Sequence, residues 1–337
     1  MDKLLGKTLS ELKVIAQQVG LPPYTAAQLA AWLYRKRVRT VDEMTDISLA
    51  GRQRLKEQYL VGRTEPLQAW QSKDGTKKYL FPAGDKTVET VYIPEKERAT
   101  LCVSSQIGCK MNCLFCMTGK QGFSGQLSSA EIINQILSLP ESEALTNIVF
   151  MGMGEPFDNL DEILRVLEIL VSDYGFGWSP KRITVSTVGL VPGLKRYLEE
   201  SRCHLAISIH SPFHEERLRL VPAEKPFPVA ATVEMLRKYD FSHQRRVSFE
   251  YIVFGGLNDS EEHAAAFVRL LRGLECRVNL IRYHAIPSVN LPATNEAGIT
   301  AFRDFINARG ITATIRASRG EDILAACGML STAAHQN

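Results

Sequence analysis

The sequence predicts an α/β protein: a complete or partial barrel of parallel strands and crossover helices, preceded by a small helical N-terminal domain and a β extension. Three observations carry that reading. From residue 99 onward, short β-rich runs alternate with segments of helical period; the first sixty residues carry helix-start signals; and between about 66 and 98 the texture changes to short extended runs punctuated by turn residues. A chain of 337 residues, 45% hydrophobic, is long enough for one large core and a small domain beside it.

The helical segment, residues 1–65, opens on Thr8 and Glu11, spaced as a capping box, with Leu9, Leu12, Ala16 and Val19 sharing a face until Gly20 and Pro22 end it. Thr25 with Gln28 makes a second box, opening a helix through Ala30, Trp32 and Leu33. The basic run from Arg35 to Arg39 falls in or just beyond its last turn, and a third helix is expected from Leu49 to Tyr59. Residues 66–98 hold LQAWQSK and KKYLFPA around Asp74-Gly75, a hairpin signal, and then TVETVYIP. The barrel, residues 99–316, is read from ATLCVSS, TNIVFMG, RITVST, HLAISIH, RVSFEYIVF, RVNLIRY and ITATIR. Ser128 with Glu131 caps its first helix, and Asp259 or Ser260 starts a later one. Residues 317–337 form a C-terminal tail.

Composition narrows the function classes. No run of about 18 uncharged apolar residues occurs, and MDKLLGKTLSELK lacks an apolar stretch followed by small residues, so neither a membrane span nor an export signal is expected and the cytoplasm is the expected compartment. A net charge of +3 is compatible with a nucleic-acid partner without arguing for one. Seven cysteines, three of them within eight positions, suit metal or redox chemistry better than a disulfide framework.

Several predicted strands end in polar residues: Gly154-Glu155 after TNIVFMG, Ser186 after RITV, Ser208 and His210 after HLAI, with Asn279 inside RVNLI. Polar residues mark strand ends in any protein. Their recurrence on the rim where barrel enzymes build active sites favours function. Cys109, Cys113 and Cys116 sit in the loop after the first barrel strand. Three thiolates leave one iron of a four-iron cluster without a protein ligand, whereas a zinc site usually shows a fourth Cys or His close by.

CxxxCxxC after the first strand of an α/β barrel resembles the signature of the radical S-adenosylmethionine (SAM) superfamily. VETVYIPEKERATLCVSSQIGC, MGMGEP, SIHSP, VNLI and SRGEDILAACG together resemble the RlmN/Cfr family, which methylates adenosine carbons in 23S ribosomal RNA. The resemblance implies a partial (β/α)6 TIM-type barrel, a [4Fe-4S] cluster on Cys109, Cys113 and Cys116, and two SAM molecules per turnover. It assigns SAM contacts to Gly154, Glu155, Ser186, Ser208, Ile209, His210 and Asn279. Cys327 is implied to accept a methyl group, from which a SAM-derived radical takes hydrogen before the carbon adds to adenine. Cys102 is implied to resolve the protein–RNA adduct through a transient disulfide with Cys327, and Glu89 to accept a proton. The small-residue setting of Cys327, Ala325-Ala326-Cys327-Gly328, suggests a flexible segment that visits SAM and then RNA. Cys203 and Cys276 match no motif and read as structural.

Within that family, Gln121-Gly122-Phe123 and DGT at 74–76 resemble the branch that modifies carbon 2, which also methylates the adenosine beside the anticodon in some tRNAs. NLIRY occurs in the branch that modifies carbon 8, and Met329 and His284 stand where the family commonly has Gln and Asn. The expected partners are 23S rRNA, tRNA as a second substrate, and a low-potential electron donor such as a flavodoxin, with a monomer as the default and no membrane. Trp32, Tyr34 and the Arg35–Arg39 run are the candidate RNA surface, although a solvated helix end explains the charge equally well and Trp32 reads as core. A radical SAM enzyme on another substrate and a zinc-bearing RNA-binding factor are the competing readings.

Overall fold

The computed structural model of the chain describes residues 1–242, 245–287 and 289–332. Ten strands form its main sheet, and they lie side by side in chain order. Gln68–Gln71 (β1), Lys77–Ala83 (β2), Lys86–Pro94 (β3) and Ala99–Cys102 (β4) pair antiparallel. Asn147–Phe150 (β5), Ile183–Thr187 (β6), His204–Ser208 (β7), Val247–Val253 (β8), Cys276–Arg282 (β9) and Thr312–Ile315 (β10) continue parallel from β4. The sheet runs from β10 at one edge to β1 at the other, so the barrel is partial, with the hairpin strands extending the β4 side. Each parallel step needs a crossover, and the alternation of β-rich and helical periods supplies one after every strand from β4 to β9. All seven residues of β8 are buried, as expected of a strand covered on both faces.

In the helical domain, Leu9–Gln18 (α1) is capped by the Thr8/Glu11 box. Thr25–Ala30 (α2) is not started by Thr25: that side chain is buried and makes no cap, and the Pro22-Pro23 turn opens the helix through a backbone bond from Thr25 N to Pro22 O. A wide turn, Ala31–Arg35, continues it, and Leu49–Gln58 (α3) follows. The domain docks on Ser129–Leu137 (α4), the first barrel helix, which begins at the Ser128/Glu131 box. Arg63 donates to the Leu137 carbonyl, and Thr64 and Asn134 exchange hydrogen bonds. Gly6, at φ +78°, lies so close to α4 that a Cβ there would meet Ala130 N at 2.4 Å. The helix Glu261–Leu271 is capped by Ser260, not Asp259. No helix among the described residues is long and apolar enough to cross a membrane.

Candidate functional site

The cysteine loop is fixed at its base by a small hairpin of Gln106–Gly108 against Phe123–Gln126. Gly108 has φ +78° and approaches Gly122 O so closely that a Cβ would sit 1.7 Å from it, so only glycine closes this loop. Cys109 N donates to Gly122 O, and Leu114 N to Leu220 O, which spans the loop between the hairpin and the far side of the barrel mouth. Cys109, Cys113 and Cys116 face one cavity with Gly154, Glu155, Ser186, Ser208, His210 and Cys327. Burial pushes the Cys109 thiol up to about 12 and raises Cys113 as well, with the neighbouring thiols adding to both. Among the described residues no three His, Cys, Asp or Glu side chains converge as ligands of a single ion. The cysteines ring the cavity wall instead, an arrangement that suits a cluster in which each thiolate takes its own iron.

The rim is built by hydrogen bonds that turn polar atoms inward. Gly154, at φ +101°, lets the chain pass Gln106, whose Cβ a side chain would meet at 2.5 Å. Gln106 Oε1 then accepts the Glu155 N–H at 2.8 Å. The Glu155 carboxylate accepts from Phe157 N and Val188 N, both at 3.0 Å, while burial raises its pKa to about 7. His210 is held at φ +62°; its Nδ1 accepts the Ile252 N–H at 3.0 Å, which leaves Nε2 as the ring's donor, and burial lowers its pKa to about 3.

Ile209 is buried away from the cavity, and its carbonyl accepts from Arg217. Asn279 lines an adjoining chamber, not the cysteine cavity. Cys102 shares a smaller void with Cys327 and Arg316, and burial followed by the Cys327 sulfur pushes its thiol up to about 12. Cys327 is reached by solvent through the cavities it lines while protein surrounds it at greater depth, so burial raises its pKa and Arg316 opposes the rise.

Glu89 is not brought to the cavity wall. It is fully buried in an ion pair with Lys78, and its second oxygen accepts the Ser331 N–H at 2.8 Å. Nor is the tail around Cys327 loose. Asp322 takes hydrogen bonds from Ser72 and Lys73, Asp74 takes one from Gly320, Met117 N donates to Gly328 O, and Thr118 Oγ1 to Leu330 O. Small residues here serve close packing: Gly320 has φ +62° and would carry a Cβ 2.8 Å from that of Ala325.

The candidate RNA surface changes too. Tyr34 is buried and donates to Lys7 O, so it offers no stacking face. Trp32 is half-buried and packs against the edge of the core, with Lys36 Nζ 3.3 Å from its ring centroid. Arg35, Lys36 and Arg39 are exposed. Two residues escaped sequence reasoning. Arg217, fully buried, pairs with Glu224 and donates to the carbonyls of Val188, Ser208 and Ile209, tying the ends of β6 and β7 together. Glu250 stands in the wall between cavity and chamber. No periodicity or motif distinguishes either one.

Comparison with known proteins gives two family matches: the Radical SAM superfamily over residues 103–268, and the Ribosomal RNA large subunit methyltransferase N-terminal domain over residues 3–61. The chain is 62% identical over 332 residues to the probable dual-specificity RNA methyltransferase RlmN of Parabacteroides distasonis, covering 98% of this chain and 97% of that protein. It is 41% identical to the dual-specificity RNA methyltransferase RlmN of Halorhodospira halophila, over 97% of this chain and 93% of that one. The crystal structure of a radical SAM methyltransferase from Sphaerobacter thermophilus superposes with a TM-score of 0.92 at 38% identity, covering 98% of this chain and 99% of that one.

Proposed function

The chain belongs to the RlmN family of radical SAM RNA methyltransferases, and on that premise we propose that it methylates carbon 2 of an adenosine in 23S rRNA and of the adenosine beside the anticodon in tRNA, with Cys327 as methyl carrier. The observation that carries the reading is the position of Cys327. It faces the cavity ringed by Cys109, Cys113 and Cys116 on one side and an arginine-lined chamber on the other, which supports a sulfur that takes a methyl group in one space and meets a base in the other.

In this reading Cys109, Cys113 and Cys116 hold a [4Fe-4S] cluster; Gly154, Glu155, Ser186, Ser208 and His210 form the SAM site, with Ile209 behind its wall and Asn279 joining it only at the border with the chamber, through Glu250. Cluster and SAM, when bound, supply the radical and the methyl group. Arg316 lies near both the Cys327 and Cys102 sulfurs and favours their thiolates against the effect of burial, which suits a nucleophile and its resolving partner. Glu89 is the proton acceptor in this reading, its two oxygens holding Lys78 Nζ and the Ser331 N–H in the resting structure. The helical domain, residues 1–65, meets RNA through Arg35, Lys36 and Arg39; a low-potential donor such as a flavodoxin supplies electrons; and the enzyme works as a cytoplasmic monomer.

Tandem mass spectrometry of the tryptic peptide that follows Arg319 tests the carrier role. Reconstituted enzyme given SAM should add ~14 Da at Cys327 and not at Met329. Unmodified Cys327 in protein with an intact cluster would remove the carrier mechanism.

A further inference from the structure

Glu250 lies mid-strand in β8, is 3% exposed, and stands where the cysteine cavity and the adjoining chamber meet. Its Oε1 is occupied: Asn279 Nδ2 donates to it at 2.7 Å and Ser248 Oγ at 3.2 Å. Its Oε2 accepts no hydrogen bond. Arg316 Nη1, 3.6 Å away, offers charge but is too distant to donate. A buried carboxylate oxygen left without a donor is costly, so this one is set for a donor from outside the chain.

The chamber supplies the rest of the argument. Ser248, Asn279 and Arg316, the groups around the carboxylate, all line the chamber and none lines the cysteine cavity, so the carboxylate head sits on the chamber side of the wall, with Oε2 nearest to Arg316. Its volume, about 340 Å³, lies within the range of small-ligand sites, ~300–1,000 Å³. Arg98, Arg246, Arg282, Arg316 and Arg319 stand in its wall. Guanidinium groups suit the phosphates of a nucleotide, and a fixed carboxylate oxygen suits a base that presents an N–H donor.

We propose that Glu250 reads the exocyclic amino group of the target adenine, its Oε2 accepting that N–H while Arg316 and Asn279 hold the carboxylate in place. The inference rests on the adenosine-in-RNA reading above and adds the residue that selects the base. In Glu250→Gln, the amide oxygen takes the Oε1 position, because Asn279 and Ser248 both donate there. The amide nitrogen then occupies the Oε2 position and sets donor against donor.

The test uses reconstituted full-length enzyme with SAM and RNA hairpins identical except at the target nucleoside: adenosine, purine riboside lacking the amino group, or inosine presenting a carbonyl. In competition binding and in methylation the wild type is expected to prefer adenosine over purine riboside by roughly 10- to 100-fold. E250Q is expected to lose that preference and to favour inosine over adenosine. Equal treatment of adenosine and purine riboside by the wild type would overturn the proposal without recourse to any variant. So would an adenosine preference retained in E250Q, or a loss of Cys327 S-methylation in E250Q as large as its loss on RNA, which would assign the carboxylate to SAM. If wild-type enzyme carrying S-methylated Cys327 acts on none of the hairpins, the functional reading falls and this inference with it.

Discussion

Lys78 Nζ stands 2.9 Å from Glu89 Oε1 with both side chains closed to solvent, and the other Glu89 oxygen accepts the Ser331 N–H. One buried pair therefore joins the β extension to the C-terminal tail. Removing one partner of such a pair leaves an uncompensated charge, so Lys78→Met should lose about 3–5 kcal/mol of unfolding free energy in urea titration. The double variant Lys78→Met/Glu89→Leu should recover most of that loss, since neither charge remains to be desolvated.

Cys327 and Cys102 share one void, and their proposed roles separate in single variants. Cys327→Ala should remove both the mass increment on the tail peptide and methylation of RNA. Cys102→Ala should still form S-methylcysteine but stall with RNA attached to the protein. A denaturing gel of radiolabelled RNA reads this directly: a protein-linked band in Cys102→Ala and none in Cys327→Ala.

Arg217 holds three carbonyls at the ends of β6 and β7, beside Ser208 and His210. Arg217→Met should leave Glu224 buried with only His214 and the Val229 N–H for partners, and the rim without its clasp. A loss of several kcal/mol in stability and at least ~10-fold in SAM affinity is expected, read by thermal melting and calorimetric titration. Unchanged SAM affinity in a folded Arg217→Met protein would show that the rim keeps its shape without the clasp.

His204 gives the stability a pH dependence of known sign. Its Nδ1 accepts the Arg246 N–H at 2.9 Å, and burial, then Arg246, Lys181, Arg245 and Arg277, lower its pKa to about 4. An unfolded histidine titrates near ~6.5, so the unfolded chain binds the proton first as pH falls. The contribution is complete above ~6.5 and is lost progressively until the folded form titrates near 4. The melting temperature should fall across that window. His204→Asn, which keeps an acceptor and cannot ionise, should flatten part of the slope.

The parts of this protein legible in its sequence are those whose signal is local or periodic. The alternation of strand and helix from residue 99, the Thr8 and Ser128 caps and the turn at Asp74-Gly75 each depend on neighbours a few positions away, which a sequence displays. CKMNCLFC was conspicuous because three thiols in eight positions serve few other purposes. The Thr25 box failed for a related reason: its spacing was right, but the Pro22-Pro23 turn had already begun the helix and Thr25 was needed in the core.

What only the tertiary structure decided are relations between distant segments. Glu89 meets Ser331 across a sequence separation of 242 residues, and Ser72 meets Asp322 across 250. Those bonds fasten a tail whose small residues had suggested freedom. Arg217 and Glu250 carry no local mark because a single charged side chain looks the same in a sequence whether it ends in water or at a buried wall. Burial and the choice of partner follow from how the sheet curves and which loops cover it, so they emerge only once the chain has folded back on itself.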